Sequence, residues 1–263
     1  MHVKKHHSWK LSYKDAAALQ SKLAKKIILY DDFDVVKKIA GVDVKYIKNS
    51  NLIMCAVLVF SFPDLALIEV KTCKSMAVFP YIPGLLAFRE GPIIEKCFKK
   101  IKNIPDLIIF DGHGYAHPRR LGIASHMGIL LNLPAIGCAK KKLCGDYENN
   151  LKYRGEYSFL KENNEIIGAA LVVKDNVKPA FVSQGNKISL DSAIKFILKV
   201  SKFKIPEPVR LAHNYLEEIL NDKLSRFEWL LFRSEYRKTK DLENKLSKIA
   251  EADFIYSNNF VLD

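Results

Sequence analysis

The chain has 263 residues, and 49% of them are hydrophobic, which excludes a disordered polymer and allows a sizeable core in one large domain or two small ones. A net charge of +13 and a pI near 9.4 point to a polyanionic partner, nucleic acid or an anionic membrane surface. Five cysteines (Cys55, Cys73, Cys97, Cys138, Cys144) are odd in number, show no CxxC spacing and sit among apolar neighbours, so they read as reduced core residues and exclude a disulfide framework or zinc site.

The N-terminus, MHVKKHHSWK, lacks the apolar core of a signal peptide, and its His6 and His7 read as solvated. The longest apolar run, residues 52–60, is about half the length a spanning helix needs. A cytoplasmic protein follows by elimination. Ser12-x-x-Asp15 predicts a capping box, and AAALQSKLAKKIIL a helix behind it. The Asp31–Asp34 cluster breaks that pattern as a solvated turn.

Period-2 alternation in IAGVDVKYI (39–47) predicts a strand, with Ala40, Val42 and Val44 on one face and Gly41, Asp43 and Lys45 on the other. A carboxylate there marks either a wet second face or a functional acid. LIMCAVLVF and LALIEVKTCKSMAV follow after short turns, predicting an antiparallel meander. FPYIPGLLAFREGP (79–92) begins as a loop stiffened by Pro80 and Pro83, which hold Tyr81 and Ile82 between them. A helix is expected from near Gly84. Its stripe of Leu86, Glu90, Ile93, Ile94 and Cys97 puts Glu90 on the apolar face. Such an acid either has a cation for company or exploits the helix dipole.

In DLIIFDGHGYAHPRRLG (106–122), a buried strand ends on Asp111, followed by a loop with His113, His117, Arg119 and Arg120. Ligands in open α/β sheets sit beyond the carboxyl ends of such strands. LGIASHMGILLN (121–132) predicts a helix, and AIGCAK (135–140) a strand ending on Lys140. Further strands are expected at 156–161, 165–174 and 179–185, and helices at 189–202 and 205–220. His213 borders the inner stripe of the last helix, as a satisfied core residue or a functional one. Residues from 221 on carry eight Lys/Arg and eight Asp/Glu, so all the excess positive charge lies in residues 1–220. That tail is expected to be helical.

The element order β-β-β-α-β-α-β, with acids on the first strand, first helix and fourth strand, predicts a ribonuclease H-like α/β fold: a mixed sheet flanked by helices. Strands one and four are then parallel neighbours. Clustered carboxylates repel one another, and an all-oxygen set suits Mg²⁺ or Mn²⁺. A basic protein around such a centre fits a nuclease, with Lys140 placed to stabilise charge on phosphorus or to position water.

GVDV (41–44), PYIPGLLAFREGP (80–92), DGHGYAHPRRLGIASHMG (111–128), AIGCAK (135–140) and PEPVRLAH (206–213) together resemble the endonuclease V family, in the family's order. The resemblance implies a DNA repair enzyme. Its activity is Mg²⁺-dependent hydrolysis of the second phosphodiester bond 3′ to deoxyinosine, leaving 3′-hydroxyl and 5′-phosphate ends. Mn²⁺ is expected to substitute. It implies that Asp43 and Asp111 are metal ligands, Glu90 the third catalytic acid, and Lys140 and His213 the remaining active-site residues. Pro80, Tyr81, Ile82 and Pro83 match the wedge that fills the gap in the duplex. Gly84, Leu86, Gly112 and Gly122 match the pocket for the flipped base, and His113 and His117 are assigned to shaping their loop and lining the pocket or the strand path. The implied partners are double- and single-stranded DNA containing deoxyinosine. Eukaryotic relatives prefer inosine in RNA, which makes an endoribonuclease the alternative; a non-catalytic nucleic-acid-binding protein is a third reading, opposed by the intact acids. The expected division is a catalytic domain at 1–222 and a helical extension at 223–263 whose protein partner is unassigned. Two departures stand out: Lys141 replaces a small polar residue, and SQGN (183–186) replaces the family's Ser-Pro-Gly-His, which predicts a looser loop there.

Overall fold

One strand, β1 (Lys38–Tyr46), is the axis of the molecule. β2 (Leu52–Ser61) pairs with it antiparallel, and β3 (Leu67–Met76) pairs antiparallel with β2. On the other flank β1 pairs in parallel with β4 (Leu107–Phe110), which pairs in parallel with β5 (Ala135–Ala139). The sheet then continues with antiparallel strands: β6 (Tyr157–Glu162), β7 (Glu165–Leu171) and β8 (Ala180–Asn186) complete the order β3-β2-β1-β4-β5-β8-β7-β6. This is the mixed sheet of the ribonuclease H-like arrangement, with strands one and four adjacent and parallel as expected. The helices are α1 (Tyr13–Ala24), α2 (Leu86–Phe98), α3 (Ile123–Leu131), α4 (Leu190–Val200) and α5 (Glu207–Leu220). The structure is a computed structural model that describes Val3 and residues 7–48 and 50–221, all within one compact unit, Met1–Lys223. The expected helical tail, the boundary after residue 222 and His6 lie outside the described residues.

The two faces of β1 are covered differently. Ala40 and Val42 pack with Ile93, Ile94 and Cys97 of α2 and Met127 and Leu130 of α3. Ile39 packs on the opposite face with Leu107, Ile109, Ile194 and Val209, under α4 and α5. The second face of β1 is therefore not wet. Burying each of the valine, isoleucine, leucine and methionine side chains among these stabilises the fold by about 1.5–3 kcal/mol, which drives both layers onto the sheet.

Three expectations for the N-terminal half need correction. The Ser12 cap forms, but Asp15 is too short to reach back to the backbone: the Ser12 hydroxyl accepts from the Asp15 N–H at 3.2 Å and its oxygen lies 2.7 Å from the Asp15 carboxylate. The helix stops at Ala24, because Ile28 leaves it to donate to the Asn186 side chain and to accept from the Lys187 N–H. Asp31 is not a free turn acid: it accepts from the Ser189 N–H and the Ser192 hydroxyl at the start of α4. Partial burial raises its pKa, but these bonds outweigh that and leave it lowered.

Two more corrections concern packing. His7 is not solvated; its Nε2 lies 2.8 Å from Nε2 of the fully buried His126, and its ring meets Trp9 edge-on. Residues 183–186 are not a loose loop but the buried end of β8: the Ser183 hydroxyl accepts from the Gly114 N–H at 2.9 Å, and the Asn186 amide donates to the Gly128 carbonyl. All five cysteines are free thiols, four of them buried. No helix among the described residues is long and apolar enough to cross a membrane.

Candidate active site

β1 outlasts its neighbour. Val42 is paired with Phe110, the last residue of β4, so Asp43 and Asp111 sit side by side where the ladder ends. Adjacent strands are about 4.8 Å apart, so the two carboxylates are drawn together by register alone. Glu90 arrives from α2, one turn after Leu86 and one before Ile94. The three acids line one cavity of about 280 Å³, with Val42, Val44, Leu86, Ile94, Phe110 and Ile123 as its apolar walls.

Burial shapes the charge of this site. It raises the pKa of Asp43, opposed by His213 and reinforced by Asp111. Burial likewise pushes Glu90 up to about 7; a hydrogen bond from Tyr46 opposes this, and Asp43 and Asp111 add to it. The hydrogen-bond partner of Glu90 is the Tyr46 hydroxyl, which donates at 2.6 Å. Arg89 stands over the Tyr46 ring, 5.0 Å from its centre, and donates to the Phe79 carbonyl.

His213 is brought to Asp43 by one glycine. A Cβ on Gly41 would lie 2.0 Å from the Pro208 carbonyl oxygen, so only glycine lets the start of α5 touch β1. From that contact the two elements run in step. Two strand residues, about 6.6 Å, lead to Asp43, and five helical residues, about 7.5 Å, lead to His213. Four strand residues and nine helical ones lead to Lys45 and Glu217, which form an ion pair. Lys45 Nζ also lies 3.1 Å from His213 Nε2. An ammonium can only donate, so it assigns the lone pair to Nε2 and the proton to Nδ1. That Nδ1 stands 3.2 Å from Asp43 Oδ2, at ion-pair distance but off the line of a hydrogen bond.

Lys140, just past β5, donates to Asp111 Oδ2 at 3.1 Å and is half-exposed. The two loop arginines do not serve Asp111. Arg119 turns towards α1 and Gly84, while Arg120, held at φ 55°, pairs with Glu162 and Glu165 of the β6–β7 hairpin.

The residues present fit a divalent cation. Asp43 Oδ2 is buried and accepts no hydrogen bond, and its neighbours are two further carboxylates in a partly apolar cavity. No three His, Cys, Asp or Glu side chains among the described residues form a finished ligand cage. Carboxylate oxygens beside room for water suit a hard divalent cation that keeps part of its hydration shell.

A second cavity, of about 170 Å³, adjoins the first. Gly84, Leu86, Gly112 and Gly122 line it together with Tyr81, Ile82 and Pro83, so the expected wedge and pocket residues meet in one place, with Pro80 just before them. His113 and His117 line it as well. Burial, reinforced by the charge of Arg119, pushes His117 down to about 4 and keeps it neutral. Tyr81 is 69% exposed at the mouth, with its ring free for a partner to stack on. Leu86 and Ile123 belong to both cavities, so a two-residue wall separates them.

The Endonuclease V family model matches residues 21–214. The chain belongs to the endonuclease V family. It is a nuclease. The endonuclease V of Dictyoglomus turgidum is 50% identical over 213 residues, covering 81% of this chain and 92% of that one. The crystal structure of endonuclease V from Bacillus subtilis superposes with a TM-score of 0.79 at 31% identity, covering 84% of this chain and 99% of that one. Endonuclease V of Ciona intestinalis, solved in complex with a 24mer DNA containing an inosine followed by a ribo-adenosine, superposes with a TM-score of 0.71 at 32% identity, covering 80% and 98%.

Within this candidate site, sequence reasoning missed two side chains. Lys45 was legible: it shares the face of Asp43 by strand alternation. Tyr46 had no such signal. Its hydroxyl reaches Glu90 across 44 residues of chain, and an aromatic at a strand end more often serves packing.

Proposed function

We propose that this chain is a DNA repair endonuclease that recognises deoxyinosine and hydrolyses the second phosphodiester bond 3′ to it, leaving 3′-hydroxyl and 5′-phosphate ends. The observation that carries the reading is the shared wall. A glycine-lined pocket with an exposed tyrosine at its mouth lies one Leu86–Ile123 partition away from three carboxylates. Base recognition and backbone cleavage on one strand need this side-by-side arrangement, with the cut displaced from the base that is read. Flipping costs a few kcal/mol and is easiest at a weakly paired base, which favours hypoxanthine over adenine. The net charge of +13 draws the phosphates in against the acids. The Ciona relative, bound to inosine-containing DNA, supports the same substrate class.

Asp43 and Asp111 would hold Mg²⁺, or Mn²⁺ in its place, and the ion would activate water and neutralise charge on the leaving oxygen. Glu90, fixed by Tyr46, completes the acidic wall. His213, oriented by Lys45, holds a proton on Nδ1 beside Asp43 and orders water there. Lys140 presents its ammonium at the open side of Asp111, where a phosphate approaches. Pro80 and Pro83 hold Tyr81 and Ile82 in a stiff loop, so insertion into the duplex loses little entropy. Residues 1–222 form the catalytic domain, 223–263 an extension, and the enzyme works in the cytoplasm.

The test is cleavage of matched strands with and without deoxyinosine in Mg²⁺, using the full chain and one ending at residue 222. Both are expected to cut only the inosine strand, at the second bond on the 3′ side. Failure to cut it sinks the reading, and dependence on residues 223–263 sinks the domain division. A second reading, an endoribonuclease for inosine in RNA, is favoured by the ribo-adenosine after the inosine in the Ciona complex. Faster cleavage of a riboinosine strand than of its deoxy counterpart selects it.

A further inference from the structure

Resting on the base-pocket reading above, we infer that Gln20 of α1 is a positioning residue for that pocket, holding two segments of its wall at a fixed separation. Gln20 lies one residue before the stretch matched by the family model. It is 1% exposed, on a helix far in sequence from every candidate site residue.

One amide joins both segments. Gln20 Nε2 donates to the Gly84 carbonyl at 3.0 Å and to the Leu121 carbonyl at 2.6 Å. Gly84 belongs to the part of the lining that follows the Pro-Tyr-Ile-Pro loop, and Leu121 precedes Gly122 in the part that follows β4. The amide has two N–H groups, one for each segment. Its oxygen accepts from Arg119 Nε, so all of its main hydrogen-bonding capacity is used inside the protein.

Each segment is held at both ends of a peptide unit. The Gly84 carbonyl also accepts from Arg119 Nη2 at 2.9 Å and from His117 Nε2 at 3.1 Å, while the following N–H, of Leu85, donates to Ile82 at 2.9 Å. In the other segment the N–H of Gly122 donates to Gly114 at 2.9 Å. Gly84 has φ +79°, and a Cβ there would stand 2.8 Å from Arg119 Nη2, so the clamp and the glycine require each other. The His117 tautomer is set by the same network: its Nδ1 accepts from the Arg119 N–H, leaving Nε2 to donate.

Such a clamp acts before the substrate arrives. A pocket whose walls are already fixed loses little entropy on accepting a planar base. The effect belongs to binding and discrimination rather than to the chemical step, because Gln20 does not line the carboxylate cavity. A role confined to fold stability would leave inosine recognition intact in any variant that folds.

The experiment compares Gln20→Ala, Gln20→Met and Gln20→Glu in the full chain with Mg²⁺, on a deoxyinosine duplex and its lesion-free counterpart, below the lowest melting temperature of the set. Gln20→Ala and Gln20→Met are expected to raise KM for the inosine duplex about tenfold, with kcat within about twofold and affinity for the lesion-free duplex unchanged. Methionine restores the volume without the donors, so it should not rescue. Gln20→Glu is expected to be the worst of the three, since it turns a carboxylate towards two carbonyl oxygens. A wild-type KM in Gln20→Met assigns the residue to packing alone and overturns the inference. So does an equal loss of affinity for both duplexes, or a fall in kcat without a change in KM. If the wild-type chain does not prefer the inosine duplex, the functional reading fails instead.

Discussion

The two adjoining cavities are built on opposite principles. The carboxylate cavity takes its character from side chains carried by regular elements: Asp43 in β1, Glu90 in α2, Asp111 at the end of β4. The proposed base pocket combines three glycines and two neutral imidazoles with apolar side chains such as Ile82, Leu86 and Ile123; Gln20 lines it, and Arg119 and Arg120 brace its loop from behind. A site that concentrates negative charge needs a rigid frame, because several kcal/mol of repulsion and desolvation oppose its assembly. A site that admits a flat, largely neutral base needs close approach and a fixed gap. Chemistry therefore resides in residue identity, and recognition in conformation.

Substitutions should separate the two. The largest effect is expected from Asp43→Ala or Asp111→Ala: single-turnover cleavage should fall by about 10³-fold or more, while affinity for the inosine duplex changes by less than about threefold. Undiminished nicking in Mg²⁺ would end the metal-centre reading. Tyr81→Ala should do the reverse, weakening inosine-duplex binding by about 10–100-fold, the worth of one stacked base, with little change in the single-turnover rate at saturation. Unaltered affinity removes Tyr81 from the wedge. Tyr46→Phe takes a donor from the buried Glu90 and should slow cleavage about tenfold without affecting affinity; a normal rate would make that hydrogen bond incidental.

The smallest effect concerns pH and metal. Glu90 has a folded pKa of about 7 against the usual 4.5, so its charged form is disfavoured in the fold. Its contribution to stability is present below pH about 4.5 and is lost as pH rises through 7. A cation that binds the ionised acids offsets this loss. Mg²⁺ should therefore raise the melting temperature by a few degrees at pH 8 and by less at pH 5, and Asp43→Ala should abolish the shift. An equal shift at both pH values would mean that the ion binds elsewhere.

The same contrast explains what was readable in advance. Asp111 announced itself, because an apolar run cut off by an acid and a glycine is a local signal with one structural meaning. Glu90 did so through its place on an apolar stripe. The partners of those acids were less visible. Tyr46 and Lys45 act through contacts with α2 and α5, and the hydroxyl that Tyr46 gives to Glu90 had no sequence signal. SQGN looked like a departure that would loosen a loop, yet it ends β8, where its serine is bonded to Gly114 and its asparagine to Gly128. A motif difference reveals a changed residue, not the partners waiting for it.

By itself, the sequence determined the order and type of the elements, the faces of β1, the acids at the strand ends and the stiff Pro-Tyr-Ile-Pro loop. These follow from periodicity and from the fixed dihedrals of proline, which act within a few residues. Only the tertiary structure decided where the last three strands join the sheet, how α5 is registered on β1 through Gly41, and that Gln20 spans the pocket from a distant helix. The last two of those contacts link residues from 64 to 168 positions apart. Their energy comes from packing and from buried hydrogen bonds whose partners exist only once the chain has folded.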